Sequence, residues 1–151
     1  MATNNNKVIT EGLQKAKRII DDQIISALTK TAFDLVGETD VPIWTHNLWD
    51  SIGCGIYKNG ALMKVVYPPK RAEEPRVDIY GVTVPDKEYW GFEELKDSIM
   101  NAPSSVRSVE GWVLYYVAAM PYSEVVDERS DVDVLHEEVV KPTFLSHIRK
   151  V

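Results

Sequence analysis

The sequence predicts an α+β domain with a long N-terminal helix, an antiparallel sheet of about four strands around a central hairpin, and a C-terminal helix. Three observations lead to this class: a helical apolar period over residues 10–36, an Asn-Gly pair between two apolar runs, and a later aromatic run that stops near a proline. The 151 residues are expected to form one domain, 1–151, with an insertion-like segment at about 68–110.

Residues 10–36 are predicted to form the first helix because their apolar side chains recur at steps of three and four. Thr10 is a suitable N-cap, and Gly37 suits the position after the helix. Further apolar residues widen the stripe, so part of this helix is expected to face a second surface. The stripe consists of Leu13, Ala16, Ile20, Ile24, Ala27, Thr31 and Leu35, widened by Ile19, Ile25, Leu28 and Phe33.

The pair Asn59-Gly60 predicts a β-hairpin, because both residues tolerate the positive φ angles of a type I′ turn. The flanking strands are expected at 53–58 and 61–67. A two-residue loop fixes which side chains face each other across the hairpin, and both faces are then largely apolar. The predicted pairs are Ile56 with Met63 and Tyr57 with Leu62.

Shorter signals predict the remaining elements. A strand is expected at 77–84 and a helix at 87–100. The run 111–119 is rich in aromatic and β-branched residues and is followed by Pro121, which is typical of a central strand. Pro142 suits the first turn of a final helix.

The charge and composition of the chain exclude several functions. It has 17 basic and 23 acidic residues, a formal net charge of -6, and no strongly basic patch of the kind that suits a nucleic-acid reader. No uncharged run approaches the roughly 20 apolar residues of a membrane-spanning helix, and the polar N-terminus lacks the apolar stretch of a secretion signal. The single Cys54 cannot form an internal disulfide.

No residue pattern predicts catalysis, a metal or a cofactor. Cys54 with His46, His136 or His147 is a conceivable nucleophile and base, but Cys54 lies in a predicted strand with no adjoining oxyanion-hole motif. The same four residues are separated by 8, 82 and 11 positions, unlike a compact zinc site. We therefore expect Cys54 to be a small buried apolar residue and the protein not to be an enzyme.

Aromatic side chains supply more amphipathic surface than a domain of this size readily hides. The four tryptophans, Trp44, Trp49, Trp90 and Trp112, are accompanied by seven tyrosines. Together with the two-sided apolar hairpin and the wide stripe of the first helix, they favour burial against a neighbouring copy of the chain. The sequence therefore predicts an assembly module.

Residues 124–138 concentrate the negative charge of the chain. They contain seven acidic residues and one basic residue, a net charge of -6. This segment is either a solvated connection before the last helix or an electronegative surface that meets a basic partner or lines a channel. The candidate residues for such a surface are Asp127, Glu128, Asp131 and Asp133.

Two stretches resemble a known family. Residues 45–52, Thr-His-Asn-Leu-Trp-Asp-Ser-Ile, are similar to the Thr-Gly-Asn-Leu-Arg-x-Ser-Ile segment of the tail-completion (head-tail joining, or neck) proteins of tailed bacteriophages. Residues 121–127, Pro-Tyr-Ser-Glu-Val-Val-Asp, are similar to that family's Pro-Tyr-Ala-x-Tyr-Val-Glu segment. His46 and Trp49 replace its usual glycine and basic residue. The residues that carry the likeness are Asn47, Leu48, Ser51, Ile52, Pro121 and Tyr122.

The resemblance implies a structural virion protein that forms a homo-oligomeric ring at the phage neck and is assembled in the host cytoplasm. Such a ring joins the portal or adaptor to the tail and lets DNA pass without sequence recognition, and an acidic lumen would avoid gripping the DNA. No cofactor and no membrane are implied. In physical terms, we expect Asn47 or Ser51 to bond free backbone amides while Leu48 and Ile52 anchor a turn in the core.

Two other functions also fit the sequence. The first is a small cytoplasmic α+β enzyme or ligand-binding domain with a pocket built from Trp44, Trp90 and Tyr115. The second is an adaptor that recruits basic partners through residues 124–138 without forming a ring, and its binding would be sensitive to salt.

Overall fold

An N-terminal helix of 36 residues, a three-stranded antiparallel sheet and a C-terminal helix make up the part of the chain that the computed structural model describes. That part comprises residues 2–37, 47–68, 91–121, 123 and 137–149. The predicted α+β class is confirmed. The described elements are α1 (Ala2–Gly37), α2 (Asn47–Asp50), β1 (Ile52–Lys58), β2 (Ala61–Val66), α3 (Gly91–Met100), α4 (Ser104–Arg107), β3 (Trp112–Ala118) and α5 (Glu137–Arg149).

Strand β1 lies in the middle of the sheet, whose order is β2-β1-β3, and both neighbours run antiparallel to it. The sheet of the described residues has three strands, fewer than the four or so predicted, and the strand expected at 77–84 lies outside those residues. The prediction that 111–119 forms the central strand is wrong, because β3 lies at an edge of the described sheet with its residues half-buried. Strand β1 takes the middle because it is buried on both faces.

The hairpin turn has the predicted geometry. Asn59 and Gly60 have φ angles of 50° and 80°, as a type I′ turn requires. The side-chain oxygen of Asn59 accepts a hydrogen bond of 2.7 Å from the Gly111 amide, and the Asn59 amide donates one of 2.8 Å to the Gly111 carbonyl. A Cβ atom on Gly60 would overlap the carbonyl oxygen of Arg107. The turn is therefore held against α4 and the start of β3.

The hairpin register agrees with the prediction at one pair and differs at the other. Tyr57 lies opposite Leu62, as predicted, but Ile56 lies opposite Lys64 instead of Met63. The cause is a β-bulge next to Ile56, which leaves Met63 as the extra residue of β2. The spacing of residues does not reveal a bulge, so the sequence could not predict this shift.

Both faces of β1 are covered by helices of the same chain. On one face, Cys54 packs with Ala32 and Val36 of α1. On the other face, α3 lies so close to Gly53 that a Cβ atom there would be 2.8 Å from a methyl carbon of Leu95. The absent side chain is what allows α3 to approach the strand. The hairpin strand β1 thus needs no neighbouring copy to cover it, which corrects the interpretation of its two apolar faces.

Helix α1 begins eight residues earlier than predicted. It starts at Ala2, so Thr10 lies inside it and does not cap it. The Thr10 hydroxyl donates a hydrogen bond of 2.8 Å to the carbonyl oxygen of Asn6, one turn back. The residues before Thr10 include no proline or glycine that would stop the helix, and their polar character provides no period from which its start could be predicted.

The C-terminal helix also begins earlier than predicted. Helix α5 starts at Glu137, so Pro142 lies inside it and not in its first turn. Because proline has no backbone amide, α5 lacks one helical hydrogen bond at this position. Helix α3 ends at Met100, as predicted, and the residues before Gly91 lie outside the described part of the chain.

Two carboxylates of α1 bind side chains from other elements. The Lys58 ammonium lies 2.6 Å from one oxygen of Asp21, and Trp112 Nε1 donates to the other oxygen at 3.4 Å. The hydrogen bond from Lys58 lowers the pKa of the Asp21 carboxyl below its usual value. Near the end of α1, Asp34 lies 2.5 Å from Nε2 of His147 in α5. These contacts hold the C-terminal half of α1 against the sheet and α5.

Candidate functional site

The first family-like stretch begins at a tight junction between two helices. The side-chain oxygen of Asn47, in α2, accepts a hydrogen bond of 3.1 Å from the backbone amide of Gly91, the first residue of α3. A Cβ atom on Gly91 would overlap the carbonyl oxygen of Asn47. The Asn47 side chain therefore accepts a hydrogen bond from a backbone amide at the start of a different helix. The sequence could not identify α3 as the helix that Asn47 caps.

The apolar residues of the same stretch lie in the core. Leu48 and Ile52 are buried and pack with Trp49 and Met120. Ser51 is buried too, and its hydroxyl donates a hydrogen bond of 2.7 Å to the carbonyl oxygen of Leu48. The Ser51 hydroxyl is thus a donor in this bond, whereas the sequence analysis considered it as an acceptor for a backbone amide. The stretch is a folding device in this structure.

The first family-like stretch contacts the two residues that precede the second. The backbone amide of Ala119, just after β3, donates a hydrogen bond of 3.0 Å to the carbonyl oxygen of Ser51. Met120 belongs to the same buried cluster as Leu48 and Ile52. Pro121 follows in an exposed turn, and its neighbour at position 122 lies outside the described residues. One junction therefore joins α2, α3 and the end of β3.

The acidic candidates cannot be placed in the same way. The tyrosine of the second family-like stretch and all four acidic candidates lie outside the described residues. A place for the acidic residues at a channel or a partner surface stays a prediction. The residues concerned are Tyr122, Asp127, Glu128, Asp131 and Asp133.

The groups considered for catalysis are held in structural roles where they are described. Cys54 is buried, and burial raises the pKa of its thiol to about 12. The thiol therefore stays protonated at neutral pH, whereas a nucleophile needs a thiolate. His147 pairs with Asp34, and His46 and His136 lie outside the described residues. The described ranges contain no group of three His, Cys, Asp or Glu side chains placed to hold a metal ion.

The pocket considered for a ligand has one described member. Tyr115 packs beside a buried cluster of Tyr57, Ala102 and Val106 that joins β1 to α4 and the turn before it. The burial of Tyr57 raises the pKa of its hydroxyl, which donates a hydrogen bond to the carbonyl oxygen of Ile99. Tyr115 thus lies over a filled core. The other two pocket candidates, Trp44 and Trp90, lie outside the described residues.

The two described tryptophans are covered to different degrees by the chain itself. Trp49 is 3% exposed and belongs to the core. Trp112 is half-buried, and its indole Nε1 donates a hydrogen bond to Asp21. The Lys58 ammonium lies 5.2 Å from the centroid of the Trp112 ring. For Trp49 the prediction of burial against a neighbouring copy is wrong, and for Trp112 it stays a prediction. The sequence did not reveal that α2 turns Trp49 inward, nor that Asp21 and Lys58 come together beside Trp112.

The N-terminal half of α1 carries the longest uninterrupted run of exposed residues on the described helices. Every residue from 5 to 20 is exposed, and this exposed half of α1 is about 24 Å long. Ile9, Leu13 and Ile20 are 60%, 67% and 54% exposed. With Ala16 they follow the spacing i, i+4, i+7 and i+11, so they share one face of the helix. We call these four residues the exposed stripe.

The exposed stripe continues a face of α1 that is buried further along the helix. Leu13, Ile20 and Ala27 follow one another at intervals of seven residues, close to two helical turns. Ala27 is buried, whereas Leu13 and Ile20 lie in water. A contiguous apolar helix face of this kind is typical of a surface for protein contacts. The sequence predicted a second surface on this helix but missed Ile9, because it placed the helix start at Thr10.

The exposed half of α1 is basic, although the chain as a whole is acidic. It contains four basic residues and Glu11, so its net charge is 4 − 1 = +3. This sign is opposite to that of residues 124–138. The sequence alone did not connect the basic residues with an exposed helix half. They are Lys7, Lys15, Lys17 and Arg18.

Comparison of the chain with protein-family models, curated proteins and solved structures finds no match. The likeness to tail-completion proteins therefore depends on the residues quoted above. None of the helices in the described ranges is both long and apolar enough to cross a membrane. The candidate functional site is thus defined by its geometry, as an exposed apolar face on a helix half that carries a net positive charge.

Proposed function

We propose that this chain is a structural virion protein that forms a homo-oligomeric ring at the neck of a tailed bacteriophage. The ring joins the portal or adaptor to the tail, and DNA passes through it without sequence recognition. The protein works by assembly alone. The exposed stripe of α1 is the observation that carries the proposal, because assembly requires a surface that the single chain leaves uncovered.

The physical gain from covering the exposed stripe is large enough for a subunit contact. Full burial of a leucine or isoleucine side chain contributes about 1.5–3 kcal/mol, and the stripe offers three such side chains that are more than half exposed. An isolated helical segment of this length is only marginally stable in water. A neighbouring copy would therefore both bury the stripe and stabilise the exposed half of α1.

The likeness to tail-completion proteins supports the neck as the place of assembly. The first of the two stretches that carry it lies against the chain just before the second, where the Ser51 carbonyl accepts a hydrogen bond from Ala119 and Ile52 packs with Met120. The junction positions α2, α3 and the end of β3, and it leaves α1 free to make the subunit contact.

The size and shape of the purified protein test this proposal. Native mass spectrometry and electron microscopy are expected to show a closed ring of identical copies, and the ring is expected to bind purified portal complexes. A chain that remains a monomer and binds neither portal complexes nor tails contradicts the proposal. A closed ring that binds neither portal complexes nor tails contradicts the assignment to the phage neck.

A further inference from the structure

We propose that the contact between neighbouring copies joins the exposed half of α1 in one copy to the acidic segment, residues 124–138, of the next copy. This inference rests on the proposed ring and specifies how its subunits recognise each other. The occupant of the exposed stripe is thus a named part of a second copy of this chain.

The first argument is charge complementarity. The exposed half of α1 has a net charge of +3, and the acidic segment has a net charge of -6. Opposite charges on two surfaces guide their encounter and disfavour other arrangements, such as two basic helices packed side by side. Lys15 and Lys17 precede and follow Ala16 of the exposed stripe, about 100° to either side of it around the helix axis, and Arg18 lies on the opposite side of the helix.

The second argument is that the acidic segment also carries apolar side chains. Val125 and Val126 precede its acidic centre, and Val132, Val134 and Leu135 alternate with or follow its acidic residues. A purely charged segment would leave the exposed stripe in water, but this composition supplies both kinds of contact. The apolar residues match the stripe, and the carboxylates match the basic side chains of the exposed half of α1, of which Lys17 lies nearest the stripe.

The third argument is that the described part of the chain leaves the stripe uncovered. Every residue from 5 to 20 is exposed, so none of the described segments of the same copy buries that face. The two surfaces also differ from each other, so their contact is heterologous: each copy offers a helix to one neighbour and an acidic segment to the other. A contact of this kind closes into a ring when the rotation between copies permits.

DNA and anionic lipid are also attracted by basic residues, but they do not explain the apolar stripe as well. Phosphate contacts are made by lysine and arginine and bury little apolar surface. The charge of the whole chain, -6, opposes binding to either polyanion. We therefore assign the surface to the acidic segment and treat binding to DNA or to lipid vesicles as outcomes that would overturn the assignment.

Two charge-reversed variants test the contact. The first, the helix variant, carries Lys15→Glu, Lys17→Glu and Arg18→Glu, and the second, the segment variant, carries Asp127→Lys, Glu128→Lys and Asp131→Lys. Each variant alone places like charges against each other in every contact, so each is expected to assemble at least about tenfold more weakly than the wild type. A control variant reverses three exposed lysines elsewhere and is expected to assemble normally. Its changes are Lys30→Glu, Lys64→Glu and Lys96→Glu.

Mixing the two variants is the decisive step. In a mixture, the acidic helix of one variant meets the basic segment of the other, and the basic helix of the second meets the acidic segment of the first. Equal amounts of the two are therefore expected to form mixed, alternating assemblies with wild-type affinity, detected by native mass spectrometry of isotopically distinct chains. Circular dichroism and the thermal midpoint of each variant, measured at a dilution where the wild type is monomeric, show that the domain remains folded.

Several results would overturn the proposed contact. The contact is overturned if either variant alone forms rings as readily as the wild type. It is also overturned if mixing the two variants fails to restore assembly while a single chain with all six changes assembles, because the contact is then internal to one copy. A third contradicting result is that the wild type binds a short DNA duplex or anionic vesicles, and the helix variant loses this binding but assembles as the wild type does. The contact is overturned, too, if the segment variant forms normal rings through which DNA passes more slowly, because the acidic residues would then line the channel. A wild type that never forms a ring contradicts the proposed function itself.

Discussion

The two halves of α1 have the same apolar spacing but opposite surroundings. In the C-terminal half, six residues that follow the helical period are buried against the rest of the domain: Ala27, Leu28, Thr31, Ala32, Leu35 and Val36. In the N-terminal half, Leu13 and Ile20 occupy the same face and remain in water. The helical period thus predicts that a face is apolar, but it does not tell what covers that face.

The difference arises from contacts that are remote in sequence. Asp21 binds Lys58 and Trp112 at the edge of the sheet, and on its N-terminal side every residue from 5 to 20 is exposed. The C-terminal half is stabilised by the core of its own chain, whereas the N-terminal half depends on its intrinsic helix propensity and on any partner that binds it. Substitutions in the two halves should therefore have different effects, and the following predictions compare them.

The largest difference is expected between two leucines of the same helix. Leu35 is 2% exposed, so Leu35→Ala leaves a cavity and should lower the free energy of unfolding by about 2–5 kcal/mol. Leu13 is 67% exposed, so Leu13→Ala should change the stability of the monomer by less than about 0.5 kcal/mol. Urea denaturation of diluted protein measures both. Equal losses from the two substitutions would show that the N-terminal half is already packed in the monomer.

A smaller loss is expected at the junction of α2 and α3. Gly91→Ala places a methyl group where the Asn47 carbonyl oxygen lies, so the two helices must separate, and we expect a loss of about 1–3 kcal/mol. The same denaturation assay measures it. Asn47→Ala is the matched control, because it removes the hydrogen bond to Gly91 without crowding the junction, and its expected cost is about 1 kcal/mol. A Gly91→Ala protein as stable as the wild type would contradict the close approach.

The free energy of unfolding should also fall at alkaline pH, because Cys54 is buried against the C-terminal half of α1. In the folded chain, burial raises the pKa of Cys54 from 9.0 to about 12. Between these values the unfolded chain loses the thiol proton while the folded chain keeps it, so stability decreases as pH rises, by at most about 1.4 kcal/mol per pH unit. Urea denaturation at pH 8, 9 and 10 measures the slope. Cys54→Ala should reduce that slope, and an unchanged slope would show that the thiol is not protected by α1.

The smallest effect is expected at Gly12, in the exposed half of α1. A Cβ atom there would meet no neighbouring atom within 4 Å, and alanine favours a helix over glycine by about 1 kcal/mol. Gly12→Ala should therefore increase helicity in the monomer, detected as slower amide hydrogen exchange over residues 5–20, with little change in global stability. Unchanged or faster exchange would mean that these residues are not helical in the free chain.

The local elements were more predictable than their arrangement. Asn59-Gly60 specifies its turn by backbone preference alone, and the hairpin and the helical period of α1 follow from short-range patterns. The bulge beside Ile56 depends on how β1 fits between two strands, and the burial of Trp49 depends on α2 turning toward Met120. Glycine at position 53 was a signal for the close approach of α3 that the sequence analysis did not use.

The candidate site could be predicted only in part. The wide stripe of α1 indicated a second surface, but the boundary between its covered and exposed halves is set by the pairing of Asp21 with Lys58, which are 37 residues apart. The contact of Asn47 with Gly91 spans 44 residues. Long-range pairs of this kind have no periodic signature, so the sequence could name Asn47 as a capping residue but could not identify the helix that it caps.

The most direct test of the central claim compares two substitutions of equal exposure on the exposed half of α1. Val8 and Leu13 are both 67% exposed, but they lie five residues apart, about 140° around the helix axis. We predict that Leu13→Asp, on the exposed stripe, prevents assembly in native mass spectrometry, whereas Val8→Asp assembles as the wild type does. Assembly by both variants, or loss of assembly in both, would contradict the claim that this one face of α1 joins neighbouring copies.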